Sequence, residues 1–377
     1  MEENKKFSKR ETNYDLLRIV STIAVIMIHV SAIYKNAITD NRIFGEEYNN
    51  HILAIIIYNT LSRFAVPCFM MISGAFLLSD KRNGNYKHFY KKAFYNIGVT
   101  TIIFSVLYFI FSESIILARV ILKGESIRDI ILPIQDVLKG SPYYHMWYMY
   151  TLLVVYLFIP VIIKIMHDMT EQTFQTLCLL SLFVTTISGW MSSFEVNWSV
   201  AKAICYMGYI MAGYQIRVHF ASKKNNKKAV VCILFGIVVE VLLACVQYGH
   251  SINGIAEIDE KYSLIGNFNP LIVVSAVLIF MGFSQLDFHI NKINNAASKT
   301  FLIYLFHAGV ITLLTPIIKK IESLSFDCRL VIPFFVVIVF FISLLLSDLY
   351  ILVTHKIKRY YGSSLRCGVK YPESTEK

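Results

Sequence analysis

The feature that most constrains this chain is a series of long apolar segments. Each is long enough to cross the hydrocarbon core of a bilayer, which is about 30 Å thick and takes about 20 residues of helix. The segments are continuous, without the alternation of a membrane β-barrel, so they predict helices. The ten predicted spans lie near residues 14–35, 51–79, 92–112, 146–165, 173–191, 200–217, 229–248, 266–286, 300–318 and 330–353.

The composition supports a membrane protein and argues against a sizeable soluble domain. Hydrophobic residues make up 56% of the 377 residues and charged residues only 16%, whereas soluble domains carry about 25% charged residues. The sequence therefore predicts an all-α fold, a polytopic membrane helix bundle with about ten transmembrane helices. We divide the chain into a cytoplasmic N-terminal tail (1–13), a membrane domain (14–353) and a basic cytoplasmic C-terminal tail (354–377).

The net charge of +11 is distributed unevenly across the predicted membrane. With the N-terminus inside, about 23 Lys and Arg residues fall on the inner side and about 10 on the outer side, which is the asymmetry of the positive-inside rule. Both termini are therefore expected in the cytoplasm. The basic loops are expected to face anionic lipid or an anionic cytoplasmic ligand rather than nucleic acid. The seven Cys lack the C-x-x-C spacing and any other metal-binding pattern, so neither disulfides nor a metal are predicted.

The first span carries two polar residues in an otherwise apolar helix. Arg18 and His29 lie eleven residues apart, close to three helical turns, so both project from one face about 16 Å apart along the axis. Arg18 is expected near the cytoplasmic end and His29 in the outer half. Polar residues inside a membrane are costly and often functional. The alternative is that Arg18 reaches lipid phosphate and His29 caps a neighbouring helix.

The second span contains Arg63, well inside the predicted membrane, and the small pair Ser73–Gly74, which suits close helix packing. A buried guanidinium requires anionic or carbonyl partners. Two interpretations remain open: Arg63 belongs to a functional site, or it forms a structural ion pair with a carboxylate such as Glu240 or Asp348.

Two further segments combine aromatic and imidazole side chains. His145, Trp147 and Tyr150 crowd the outer mouth of the fourth span, where they could bind a sugar or form an interfacial aromatic belt. Tyr304 and His307 lie about one turn apart in the predicted inner half of the ninth span. A histidine there is either part of a site or a hydrogen-bonded packing residue.

Taken together, these segments resemble the acyltransferase-3 family of integral membrane proteins. The shared motifs occur in the same order: the Arg-x10-His helix, R-x-x-V-P-x-F-x-x-x-S-G (Arg63 to Gly74), H-x-W-Y-x-Y (His145 to Tyr150) and I-Y-L-x-H (Ile303 to His307). The resemblance covers residues 13 to about 353 and is greatest to bacterial surface-polysaccharide O-acetyltransferases.

The resemblance implies an activity, a co-substrate and a location. The expected reaction is transfer of an acyl group, usually acetyl from cytoplasmic acetyl-CoA, to a hydroxyl of an envelope polysaccharide or its lipid-linked precursor. The expected location is the bacterial cytoplasmic membrane. The implied partners are the glycan or lipid-linked saccharide acceptor, anionic lipids and a glycan synthase or export complex. Where relatives often have an Arg-x-x-Arg-like pair after the second span, this chain has Lys91 and Lys92, the candidate cofactor-binding cations there.

Acyl transfer assigns roles to the intramembrane residues. An acceptor hydroxyl needs a base as it attacks a thioester, and an imidazole suits this task, so His29 is the candidate base. Arg18 is expected to bind a CoA phosphate, because a guanidinium fits phosphate geometry. Arg63, a further candidate for cofactor binding, and Tyr304 are candidate oxyanion donors. Ser73 and the two aromatic segments supply the other candidates for binding substrate or oxyanion.

Two other functional classes remain open. The chain could be a transporter or flippase that uses the same fold without covalent chemistry, or a non-catalytic subunit of a glycan-export complex. Consumption of acyl-CoA distinguishes an enzyme from a transporter. Dependence of activity on a co-expressed synthase identifies a subunit.

The predicted orientation can be tested by cysteine labelling in intact cells. Asn253→Cys should react with a membrane-impermeant thiol reagent added outside, whereas Asn225→Cys should be protected, because the Lys and Arg asymmetry places these loops on opposite sides. The parent chain, with its native Cys residues alone, is the control. The reverse labelling pattern would overturn the orientation.

Overall fold

The computed structural model describes most of the chain, and it is helical throughout those residues. The described residues are 11–40, 46–123, 142–190, 199–220, 223–252, 266–287, 290, 293–322 and 326–361. They contain no β-strand.

Twelve α-helices lie within the described residues, and a 3-10 turn (Lys81–Gly84) and a π-helical turn (Phe94–Gly98) flank the fourth. The helices are α1 (Thr12–Asp40), α2 (Glu46–Thr60), α3 (Ala65–Leu77), α4 (Tyr86–Ala93), α5 (Val99–Lys123), α6 (Trp147–Asp168), α7 (Glu171–Trp190), α8 (Ser199–Phe220), α9 (Asn226–Ile252), α10 (Pro270–Gln285), α11 (Ile293–Glu322) and α12 (Cys328–Tyr361).

The helices confirm a polytopic membrane bundle. Within the described residues, seven helical segments are long and apolar enough to cross a membrane, and α10 is a shorter apolar helix. Each predicted span overlaps one or more of these helices. The helices in the fifth and sixth predicted spans, α7 and α8, are not among the seven segments. The second predicted span consists of two helices, α2 and α3, which meet at a break inside the bundle.

Helix α1 lies against much of the bundle, because it packs on α2, α3, α11 and α12. Helix α3 packs chiefly on α8, and α9 on α10. The outward face of α9 presents Leu234, Phe235, Val238 and Leu242, which are exposed. In a soluble protein these side chains would form a large apolar patch, whereas here they face the hydrocarbon of the lipid.

Helices α3 and α8 approach so closely that their backbones touch. A Cβ placed on Gly74 would collide with the carbonyl oxygen of Ile210, and one placed on Gly213 would lie 2.6 Å from the carbonyl carbon of Met71. Glycine at both positions allows this contact, as small residues do in membrane helix interfaces. The contact confirms the close packing predicted for the Ser73–Gly74 segment and fixes α3, which contributes Ser73 to the site described below.

At the break between α2 and α3, a backbone amide donates a hydrogen bond to a carboxylate. The amide of Phe64 donates to Glu240 Oε1 at 3.1 Å, and both groups are buried. In the described part of the chain, Arg63 forms an ion pair with neither Glu240 nor Asp348, the two partners considered in the structural interpretation above. Its Nε and Nη2 donate to Asn59 Oδ1, and Asp348 pairs with Lys299.

The close contact predicts that Gly213→Ala destabilises the protein. Overpacking of a well-packed interior typically costs about 1–3 kcal/mol, so the midpoint of thermal unfolding in detergent should fall. Gly249→Ala is the matched control, because a Cβ at that position meets no atom within 4 Å. Equal midpoints for the two variants would contradict the packing.

Candidate active site

Arg18 lies at one end of an internal cavity of about 250 Å³. Its Nη1 donates to Asp15 Oδ1 at 2.7 Å, and 29% of its side chain is exposed. The guanidinium carbon lies 5.1 Å from the centre of the Phe76 ring, within the range of a cation–π contact. The residue is therefore held in place while part of it stays accessible, as an anion-binding residue requires.

The cavity runs from Arg18 to Tyr304 between α1, α3, α6 and α11, with Ile97 contributed by the turn before α5. Its wall is mostly aromatic and aliphatic, with hydroxyl groups from a few residues. The lining residues are Arg18, Phe69, Ile72, Ser73, Phe76, Leu77, Ile97, Tyr148, Leu152, Tyr156, Thr300, Phe301 and Tyr304. A narrow apolar channel with a cation at one end suits a ligand with a charged head and a slender tail.

Three imidazoles, from α1, from α11 and from the turn before α6, meet beside the Tyr304 end of the cavity. The ring of His307 lies 5.3 Å from that of His29 and 5.2 Å from that of His145, measured between ring centroids. Tyr304 also contacts both His145 and His307, at 5.6 Å and 5.3 Å. His145 and His307 are buried and His29 is half-buried. We call these three residues the histidine cluster.

The hydrogen bond of His307 fixes which of its nitrogens can accept a proton. Nδ1 contacts the backbone carbonyl of Tyr304, and a carbonyl only accepts, so Nδ1 must carry the hydrogen. Nε2 of the neutral ring then has a free lone pair. This atom is buried and has no hydrogen-bond partner among the described residues.

The Tyr304 hydroxyl is engaged with the same cluster. It donates to the backbone carbonyl of His145 at 2.5 Å and thereby ties α11 to the start of α6. In this state its proton is not available to an oxyanion. Tyr144 completes the wall beside His29, with ring centroids 5.0 Å apart.

The predicted separation in depth between His307, in the inner half, and His29, in the outer half, is wrong. Helix α11 begins at Ile293, seven residues before the predicted start at 300. Fourteen residues therefore precede His307 in its helix, which is about 21 Å of rise. In α1, seventeen residues precede His29, about 25 Å, so the two rings can meet at nearly the same level.

Arg18 and His29 face the same neighbour, as their spacing predicts. Arg18 shares the cavity with Thr300 and Tyr304 of α11, and His29 contacts His307 of the same helix. The face of α1 that carries both residues is therefore turned inward. This disfavours the alternative in which Arg18 only reaches lipid phosphate.

The structure does not bring every candidate residue to the cavity. Trp147 stacks on Tyr206 with ring centroids 6.3 Å apart, and Tyr150 shares a hydrogen bond with Ser105 of α5 at 3.0 Å. Lys91 and Lys92 are exposed on α4 and do not line the cavity. Ser73 does line it, although its hydroxyl donates to the carbonyl of Phe69 in its own helix.

The basic surface next to α4 includes an exposed ion pair between two of its own residues. Arg82 donates from Nη2 to Asp80 Oδ2 at 2.8 Å, and this guanidinium holds the pKa of Asp80 below its ordinary value. Lys81 and Lys87 are exposed nearby. The surface suits anionic lipid headgroups and is separate from the cavity.

Arg63 is connected to α1 beside His29 rather than to the cavity itself. Its guanidinium donates to Asn59 Oδ1. Asn59 Nδ2 in turn donates to the carbonyl of Ile28 at 3.3 Å and to Ser31 Oγ at 3.1 Å. These two partners flank His29 on α1.

Sequence reasoning missed several residues that shape the site. Asn59, Tyr144 and Phe76 are uncharged and lie outside the four motifs named above. Tyr144 directly precedes His145 in an aromatic segment, so its place near the cluster could have been anticipated. Within the part of the chain that the structure covers, no three His, Cys, Asp or Glu residues form a group that could hold a metal.

A comparison with known protein families identifies the family of this chain. A family model described as an acyltransferase domain matches residues 11–351, which include all helices of the bundle up to the last part of α12. No curated protein and no solved structure matches the chain. The order of the motifs, the membrane bundle and the match over most of the chain lead to one conclusion: this multi-pass membrane protein belongs to the acyltransferase-3 family of acyltransferases.

Proposed function

We propose that this protein transfers an acyl group, normally acetyl, from cytoplasmic acyl-CoA to a hydroxyl of a cell-envelope polysaccharide or its lipid-linked precursor. The observation that carries the proposal is the cavity, which has the Arg18 guanidinium at one end and Tyr304 at the other, where Tyr304 contacts His145 and His307 of the histidine cluster. Thioester donors have the matching shape, a phosphate-bearing head joined by a slender arm to the reacting group. Family membership supports the reaction class.

The donor enters at Arg18. In the proposed orientation this end of α1 faces the cytoplasm, where acyl-CoA is available. The guanidinium binds a phosphate of CoA in place of its present partner Asp15, because charge-assisted forks to phosphate are strong. The arm follows the cavity toward Tyr304, and its apolar wall excludes water from the thioester.

The histidine cluster supplies the base. The rings of His29 and His307 are neighbours, with centroids 5.3 Å apart, and in the proposed mechanism the single N–H of neutral His29 turns toward the lone pair of His307 Nε2. This leaves the second nitrogen of His29 unprotonated and facing the substrate. His307 thereby plays the part of the orienting residue in a catalytic triad. The acceptor oxygen attacks the carbonyl carbon while His29 takes its proton. The C–S bond then breaks, and the proton passes to the CoA thiolate.

The acceptor reaches the cluster from the opposite side of the membrane. His145 and Tyr144 lie next to His29 and His307 at the start of α6, and α6 begins on the proposed outer side. A hydroxyl presented there meets the thioester at the base without crossing the bundle. We place the protein in the bacterial cytoplasmic membrane, with both termini inside, where it acts alone or with a glycan synthase or export complex.

The proposal predicts that His29→Ala and His29→Gln abolish acylation of envelope glycan in cells without lowering the amount of inserted protein. Removal of a general base typically costs about 10²–10⁴ in rate. The purified wild-type rate should also fall on acidification, because a protonated imidazole cannot accept the hydroxyl proton. Mass spectrometry of the glycans and initial rates with acetyl-CoA are the measurements.

Arg18→Lys is the companion variant that separates binding from chemistry. It keeps the charge but loses the planar fork, so it should raise KM for acetyl-CoA, whereas His29→Ala should still bind acetyl-CoA. Wild-type acylation in a stable His29→Ala protein would contradict the assigned base. An absence of acetyl-CoA consumption by the wild type with every acceptor tried would favour a transporter.

A further inference from the structure

Glu240 is a carboxylate buried in the bundle that the reaction proposed above does not use. It lies in the middle of α9 and has no exposed surface. Its Oε1 accepts two hydrogen bonds, from the Phe64 amide at 3.1 Å and from Ser275 Oγ at 3.0 Å. Its Oε2 is buried and has no hydrogen-bond partner among the described residues. A buried ionisable group is costly in a membrane helix, so its presence there calls for a specific role.

The carboxylate acts on the break between α2 and α3. Phe64 immediately follows Arg63, so the bond to Glu240 fixes the backbone that carries the Arg63 side chain. Arg63 is thus positioned through its backbone by Glu240 and through its side chain by two hydrogen bonds to Asn59 Oδ1, at 2.9 Å and 2.5 Å.

Asn59 transmits this positioning to α1. Its amide oxygen is occupied by Arg63, so the amide group is fixed with Nδ2 pointing at α1. Nδ2 donates to the Ile28 carbonyl and to Ser31 Oγ, the residues on either side of His29. A helix held at these two points cannot rotate or slide freely, and the direction of the His29 ring depends on that rotation.

We propose that Glu240, Arg63 and Asn59 form a positioning network that fixes the rotation of α1 and thereby holds the His29 ring against His307. Glu240 and Asn59 are positioning residues, because neither contacts the cavity. The proposal rests on the function proposed above and assigns the control of its base to a carboxylate on α9.

Substitutions at residues 240 and 59 distinguish positioning of α1 from folding of the α2–α3 break. Glu240→Leu removes the acceptor for both Phe64 and Ser275 and releases the backbone beside Arg63, whereas Glu240→Gln keeps an amide oxygen that can accept both bonds. Asn59→Asp keeps an acceptor for Arg63 but loses the donor to α1. If the bonds matter only for folding of the α2–α3 break, the Glu240→Leu protein that remains inserted should have the kcat of the wild type.

The experiment measures kcat and KM for acetyl-CoA in purified, inserted protein. Glu240→Leu and Asn59→Asp should each lower kcat about ten- to hundredfold, as loss of a residue that orients a functional side chain typically does, and leave KM unchanged, because Arg18 is untouched. The double variant should lose no more than the worse single variant, since the residues act as a unit. Glu240→Gln is the matched control, because it keeps the acceptor at the same position, and should leave kcat unchanged.

A second measurement does not require activity. Diethylpyrocarbonate modifies accessible imidazoles, and mass spectrometry reports the rate of modification at His29. Both network variants, Glu240→Leu and Asn59→Asp, should change this rate, whereas Glu240→Gln should not. Wild-type kcat in Glu240→Leu, multiplicative losses in the double variant or an unchanged modification rate would each overturn the network. A wild type that transfers no acyl group, combined with a changed rate in the variants, would overturn the proposed function alone.

Discussion

A polar group inside a bilayer must find its partner within the protein, and most features of this structure follow from that constraint. Hydrocarbon offers no hydrogen bonds, so each intramembrane amide, guanidinium and imidazole either meets another polar group or carries a cost. The break between α2 and α3 is tolerated because Glu240 accepts from the freed amide of Phe64. The buried imidazole of His307 keeps one nitrogen on a carbonyl and therefore leaves the other available.

The same constraint separates two kinds of environment along one cavity. The Arg18 end has a partly exposed cation beside a carboxylate. The other end is lined by Tyr304, and the three imidazoles of the histidine cluster lie beside that residue. A ligand that carries its charge at one end and its reactive group at the other satisfies both environments at once. The bundle is thus suited to a donor that approaches from one side of the membrane and an acceptor that approaches from the other.

Much of the fold could be predicted from the sequence because lipid imposes a simple rule on length and hydropathy. Each apolar segment of sufficient length proved to be helical, and the spacing of Arg18 and His29 gave their shared face. The meeting of His29 with His307 could not be predicted, because it depends on the start of α11 and on which helices are neighbours. The partner of Arg63 was missed for a related reason: a neutral asparagine one turn away satisfies the guanidinium, and such a residue has no distinctive pattern.

The measurement that tests the central claim most directly is a cryo-EM structure of the protein with a non-hydrolysable acetyl-CoA analogue. The account predicts density for a phosphate at Arg18, the arm of the analogue in the cavity beside Ser73 and Tyr304, and the acetyl carbonyl next to His29 and His307. Density on the exposed face of α4, with the cavity empty, would contradict it.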